Sequence, residues 1–311
     1  MRHVTVMIRP IHNLRSYLSS AALACVALLA SLFVLAPAHA RAQGRTLLSG
    51  GFNTAGLPIA SGSNDIDNTT FFVEQQYRDF LGREADDGGL GFWSNEIVKC
   101  SGGPSCVTKM RANTSAAFFL SIEFQETGYL LYRLHKASYG AMPRRNAFLV
   151  DMQALGRGVV VGTTGWQQKL EANKTAAVAA WVARAEYRAR YDSLTNEQYV
   201  DALLGNAGLA GNQQLRASLV EGMTSGGHSR ASILRQVADH AAFRGQEQNR
   251  AFVLMQYFGY LHRNPDEGPD SNLDGYNFWL KKLEDNRGDF HRAEMVRAFI
   301  ASIEYRERFN W

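Results

Sequence analysis

The chain has 311 residues, a formal net charge of +4, 46% apolar residues and three cysteines. Its first forty residues hold three arginines and no acid, so beyond them the balance falls to +1. A footprint for nucleic acid or an anionic membrane needs surplus cations gathered on one face, and the remainder of the chain offers no such surplus.

Residues 1–40 read as a secretory signal: Arg2, Arg9 and Arg15 come first, an apolar run from Ala21 to Leu35 follows, and Pro37 with Ala38-His39-Ala40 closes it. The run is shorter than the about 20 residues a membrane span needs, so cleavage is the expectation and a retained anchor the alternative. Cys25 lacks a leucine three residues before it, and apolar sequence continues past it, which argues against lipidation. No later segment is apolar enough to span a bilayer.

Residues 41–67, with Ser49-Gly50-Gly51 and Ala60-Ser61-Gly62-Ser63, read as a linker. Beyond it nearly everything reads as helix. Phe72, Gln76, Tyr77, Phe80 and Leu81 fall at helical spacings that end at Gly82, a left-handed cap. Asp86 is placed to cap a second helix with Phe92, Trp93 and Ile97 on its buried face. A third helix is expected from Ala116 to Phe124 and a fourth from Tyr129 to Tyr139, stopped by Gly140 and Pro143. Only the stretch from Gly156 to Gly162, with three valines, predicts a short extended segment. Cys100 and Cys106 flank a Gly-Gly-Pro turn and in an exported chain are expected to pair as a disulfide, a local staple worth about 2 kcal/mol; a free pair or a metal site are the alternatives.

The chain repeats itself. Tyr77, Phe80, Leu81 and Arg83, then Phe92-Trp93, then Ser121 and Glu123-Phe124 return as Tyr257, Tyr260, Leu261 and Arg263, then Phe278-Trp279, then Ser302 and Glu304-Tyr305. Weaker echoes join Tyr139-Gly140 to Glu186-Tyr187 and Leu203-Leu204-Gly205 to Ala242-Phe243. The expected fold is all-α, a helical repeat bundle of about four degenerate units at 68–130, 131–194, 195–248 and 249–311. The pattern Tyr-x-x-Phe-Leu-Gly-Arg, Asp-x-x-Gly-Leu-x-x-Trp and Ser-x-Glu-Phe resembles domain-of-unknown-function family 4214, over residues 68–130 and 249–309. The resemblance implies a small helical module similar to phycobilisome linker domains, found mostly in exported or surface-associated bacterial proteins, and it implies no known reaction. Two departures stand out: His262 occupies the place of Gly82, and the last copy carries an insertion before Trp279.

Residues that recur in separate copies are more easily explained as scaffold than as one catalytic centre. Arg83 with Glu123, and Arg263 with Glu304, are therefore expected to pair and tie helix ends, with catalysis the weaker reading. Trp93 and Trp279 are expected in corresponding cores, ahead of a role as stacking platforms. Asp270, Asn272 and Asp274, followed by Gly275, reproduce the first half of a calcium loop, with Asp266 and Glu267 as further oxygens. The twelfth position is Lys281 instead of a glutamate, and Asn272 has the duller role of capping the helix of Trp279. No HExxH, Walker or Gly-x-Ser-x-Gly pattern occurs. These readings predict an exported, non-enzymatic binding or assembly module of the bacterial envelope or extracellular space, with a protein or polysaccharide partner, no nucleic acid, and calcium the one cofactor in question. The alternatives are a calcium-dependent adhesin and a glycan-active hydrolase, which would need two acids about 5 to 10 Å apart.

Overall fold

Asn68 accepts a hydrogen bond from the Phe71 amide and so starts α1 (Thr69–Gln76), which runs on into a π-helical turn, Tyr77–Leu81, and stops at Gly82 with φ +65°. A computed structural model describes residues 64–268 and 271–309. The expected signal, most of the linker, Asp270 and Trp311 lie outside those residues. The last part of the expected linker is packed: Asn64–Asp67 form a short turn with Ile66 buried, the Asn64 amide donates to the Arg306 carbonyl at 2.9 Å, and Asp67 meets both Arg306 guanidinium nitrogens at 2.8 and 2.7 Å.

Asp86 caps α2 (Asp87–Val98) by accepting from the Gly89 amide at 2.8 Å. Cys100, just past α2, is joined to Cys106 in the first turn of α3 (Pro104–Leu120) as a disulfide, with the Cα atoms 5.8 Å apart. The helix expected from Ala116 thus begins at Pro104, in the favoured first-turn position for proline, and breaks at Ser121 before α4 (Ile122–Glu126). Arg111, Thr114 and Ser115 are buried along α3, so its inner face is partly polar and an apolar periodicity does not register it.

The remaining helices are α5 (Gly128–Tyr139), α6 (Arg145–Gly156), α7 (Trp166–Val182), α8 (Ala185–Tyr191), α9 (Asn196–Asn206), α10 (Gln213–Thr224), α11 (Arg230–Asp239), α12 (Ala241–Gln256) with a second π-helical turn at Tyr257–Leu261, α13 (Asp274–Asp285), α14 (Met295–Ala301) and α15 (Ile303–Glu307). The valine stretch forms no extended pairing: α6 continues to Gly156, Gly158 turns the chain at φ +70°, and Val159 drops into the core. Among the described residues the protein is an all-helical, multi-helix bundle with no strand.

One backbone break recurs. Ser121, Arg184, His240 and Ser302 all sit near φ −62°, −61°, −60° and −63°, with ψ of 150°, 141°, 129° and 146°. Each amide bonds to the carbonyl three residues back, at Phe118, Trp181, Val237 and Phe299. The aromatic three residues on, Phe124, Tyr187, Phe243 or Tyr305, is buried each time.

Packing converges on α5, which buries most of its length against α6, α9, α11 and α12. The two outer copies of the repeat also meet. α3 packs on α14, Phe119 stacks on Phe252 at 4.3 Å, and the two π turns touch, with the Phe80 ring edge-on to Tyr260 at 5.4 Å. A Cβ at Gly259 would lie 2.8 Å from Phe80 Cζ, so the approach requires glycine there. These helices belong to one unit, Ser63–Val161 with Gly165–Trp311. Among the described residues no helix is long and apolar enough to cross a membrane.

Candidate functional site

The most repeated polar residues gather where helices end. The Tyr77 ring packs edge-on to Phe118, and its hydroxyl occupies the space a Cβ on Gly89 would need, which accounts for that glycine. Arg83, one residue past the left-handed cap, lies over this ring with its guanidinium carbon 4.9 Å from the centroid. Its Nε and Nη2 donate to the two Glu123 oxygens at 2.7 and 2.8 Å, and Nη1 donates to the Glu84 carbonyl at 3.0 Å and to Asp86 at 3.4 Å. One fork therefore joins the end of the π turn, the cap of α2 and the start of α4. Burial opposes the Arg83 charge, yet the bonds to Glu123 outweigh it and hold the pKa above the usual arginine value. Burial also pushes the Tyr77 phenol up to about 12.

The second copy repeats the construction. Arg263 stands 5.3 Å from the Tyr257 centroid, its Nε donates to Glu304 at 2.6 Å and its Nη2 at 3.2 Å, and Nη1 donates to the Glu267 carbonyl. Ser121 and Ser302 complete each tie by capping the amides of Phe124 and Tyr305 at 3.1 and 3.2 Å.

The tryptophans sit higher than expected. Trp93 and Trp279 are half-buried at the rim of the core, 5.8 Å from Phe118 and 5.6 Å from Phe299, while Phe278 is 57% exposed. Both pack against the core as expected without being enclosed by it, and the helix registers explain the depth. Tyr276, Leu280 and Leu283 form the inner stripe of α13 and leave Trp279 on its flank and Phe278 outside; in α2 only Ile97 is fully buried.

The described residues of the acidic loop are engaged in hydrogen bonds of their own. Asn272 Oδ1 accepts from the Asp274 amide at 2.9 Å and its Nδ2 donates to Asp274 at 2.9 Å, so it turns the loop; α13 begins at Asp274 with no side-chain cap. Asp270 lies outside the described residues. Asp266 receives Arg144 Nη1 at 2.7 Å on both oxygens, and Glu267 takes the Asn264 amide and side chain at 3.1 and 2.7 Å together with Arg144. Asn264, and then Arg144, hold the Glu267 carboxyl below its ordinary pKa. Lys281 pairs with Asp285 at 2.6 Å. Among the described residues no three His, Cys, Asp or Glu side chains are placed to share a metal ion.

Several buried polar residues escaped the sequence reading. Asp79, with a side chain only 4% exposed, receives Arg308 at 3.1 to 3.3 Å and lies 2.8 Å from His262 Nε2. Arg308 also donates to the carbonyls of Gly259 and Tyr260 at 2.8 and 2.7 Å. Tyr260 donates to Gln76 at 3.2 Å and hydrogen-bonds Ser115. The signal that could have found them is the mismatch between copies: Asp79 aligns with Gly259, and Gly82 with His262. His262, at φ +53° without the freedom of glycine, is the residue that reaches Asp79.

The fold and its ties define a helical bundle protein whose repeated motif is a clasp for helix ends. No family model, curated protein or solved structure matches the chain.

Proposed function

We propose that this protein is an exported, non-enzymatic assembly or binding module, built of four related helical units and working in the bacterial envelope or outside the cell. The observation that carries the reading is the twofold occurrence of the same clasp, Arg83 on Glu123 and Arg263 on Glu304, the first holding three helix ends and the second two helix ends and a loop. The polar residues that recur most are thereby engaged in the scaffold, as expected of a repeat whose copies share a fold and not a reaction. The four breaks at Ser121, Arg184, His240 and Ser302, together with left-handed residues at Gly82, Gly140, Gly208 and His262, support four units over two. Export rests on the sequence of residues 1–40, and the resemblance to family 4214 favours the same setting.

The exposed apolar residues Ile122 and Ile303 stand at matching places beside the two clasps, with Phe278 exposed on α13. They suit a protein or polysaccharide surface as partner. Crosslinking the protein in its native envelope fraction tests this. Repeated capture of one protein supports assembly, whereas turnover of a polysaccharide by the purified chain overturns the non-enzymatic reading. Calcium-sensitive attachment would favour an adhesin instead.

A further inference from the structure

A cleft of about 430 Å³ opens between α3 and the segment leading into α14, lined by Ser105, Thr108, Lys109 and Ala112 on one wall and Phe290, His291, Glu294 and Arg297 on the other. On the helix wall these residues are spaced three and four apart and so share one face. Ala112 and Phe290 are buried and make an apolar floor. The opposite wall is held in place by the Asp289 carboxylate, which accepts from the amides of His291 and Arg292 at 3.0 Å each, and the His291 ring packs on Phe290 at 4.2 Å.

The charges around this cleft are unevenly matched. Lys109 has no carboxylate within salt-bridge distance among the described residues, and Arg297 meets Glu294 through one nitrogen at 2.8 Å. Thr108 donates its proton to the Pro104 carbonyl at 2.9 Å, so its oxygen faces a ligand as an acceptor. The lining thus carries two cations, one carboxylate and one imidazole.

We propose that this cleft binds a small hydroxylated ligand carrying an oxyanion, a carboxylate or a phosphate, on Lys109, His291 and Arg297. The oxyanion meets Lys109 and Arg297, a ligand hydroxyl donates to Thr108, and the carbon skeleton rests on Ala112 and Phe290. Glu294, bonded to Arg297, competes with such a ligand for that guanidinium and weakens its binding. Burial, with the Lys109 charge nearby working against the pull of Asp289, holds His291 below the ordinary imidazole pKa. A bound anion opposes that effect, so binding takes up a proton at His291.

The test follows the His291 ring resonances of the full chain while inorganic phosphate, a hexuronate, a hexose 6-phosphate and the neutral hexose are titrated. The expected result is saturable binding of at least one of the three anions, an upward shift of the His291 titration, and no saturation by the neutral hexose. Response to the hexuronate alone assigns a carboxylate ligand; response to the phosphates alone assigns a phosphate ligand. Lys109→Ala weakens the bound anion about tenfold or more, the loss of a charge-assisted contact, and Glu294→Gln strengthens it. Both positions are exposed, so the variants keep the fold and the wild-type spectrum serves as the check. Absence of saturation by all three anions, equal binding of the neutral hexose, or unchanged affinity in Lys109→Ala overturns the proposal.

Discussion

The two clasps are chemically alike and differently buried, so their double-mutant cycles should differ in a defined way. In the first, Arg83 is 26% exposed and Glu123 10%; in the second, Arg263 is 13% exposed and Glu304 37%. Arg83→Ala strands the better-buried carboxylate and also removes the bond to the Glu84 carbonyl and the contact with the Tyr77 ring. Removing one partner of a fully buried pair costs about 3 to 5 kcal/mol, and with part of this pair in water about 3 kcal/mol is expected for Arg83→Ala. Glu123→Ala leaves Arg83 with Asp86, the Glu84 carbonyl and solvent, and should cost about 2 kcal/mol. The double variant should lose about 1 to 2 kcal/mol less than the sum, because no charge is then left stranded. In the second clasp the order weakens or reverses: Glu304 hydrates readily, while Arg263 keeps its buried guanidinium. Equilibrium urea unfolding of the six variants measures this. Additive losses at both clasps, or a gap between the two single variants as large and in the same sense at the second clasp as at the first, would refute the assignment of these residues as helix-end ties.

Four further outcomes follow from the packing. Gly259→Ala should destabilise by about 1 to 3 kcal/mol in urea unfolding, because the Phe80 ring it would strike is buried and has nowhere to move. Trp93→Ala and Trp279→Ala should each cost about 2 kcal/mol in the same assay, below the about 3 to 5 of a fully enclosed ring, with a loss near zero reopening both as ligand platforms. His240→Ser should stabilise by about 0.5 to 1 kcal/mol on thermal denaturation, since His240 shares the backbone angles of Ser121 and Ser302 but gives α12 no side-chain cap. Reducing Cys100–Cys106 should cost about 2 kcal/mol, read as a lower unfolding midpoint with the helical circular dichroism retained.

Local chemistry was legible in the sequence. Asp86, Gly82 and Gly140 act within a few residues of themselves, and each ends or starts a helix for reasons of its own side chain or lack of one. What resisted reading has long reach or mixed character. Arg308 binds Asp79 from 229 residues away, a pairing that no window of the chain displays. The middle of α3 buries Arg111, Thr114 and Ser115, so an apolar period is missing where a helix stands. The π turns depend on packing: Arg83 and Arg263 each bond six residues back to Tyr77 and Tyr257 at 3.4 Å, and their i to i+5 geometry has no local sequence mark. The tryptophans pack on the core without being enclosed, and motif recurrence does not reveal the register that gives the inner stripe of α13 to Tyr276, Leu280 and Leu283.

The two outer copies differ most where they touch, and the pattern of difference is complementary. Asp79 faces the place where its counterpart is Gly259, and His262 answers it from the place where its own counterpart is Gly82. Tyr260 offers a hydroxyl to Gln76 and Ser115; its counterpart Phe80 offers none, and the counterpart of Ser115 is the buried, apolar Val296. Gln256, which back-bonds to the Phe252 carbonyl as Gln76 does to Phe72, accordingly keeps a buried Oε1 with no hydrogen-bond partner among the described residues. Two copies of the first unit meeting in this way would strand a pair of buried carboxylates and lose the small residue that lets the π turns approach, and two copies of the second would leave Arg308 without its acid. The substitutions resolve both problems at once, one copy supplying the acid and the other the glycine and the histidine. Each outer copy has therefore become the specific partner of the other, and the clasps, which do not meet across this seam, have kept the shared sequence that made the repeat visible.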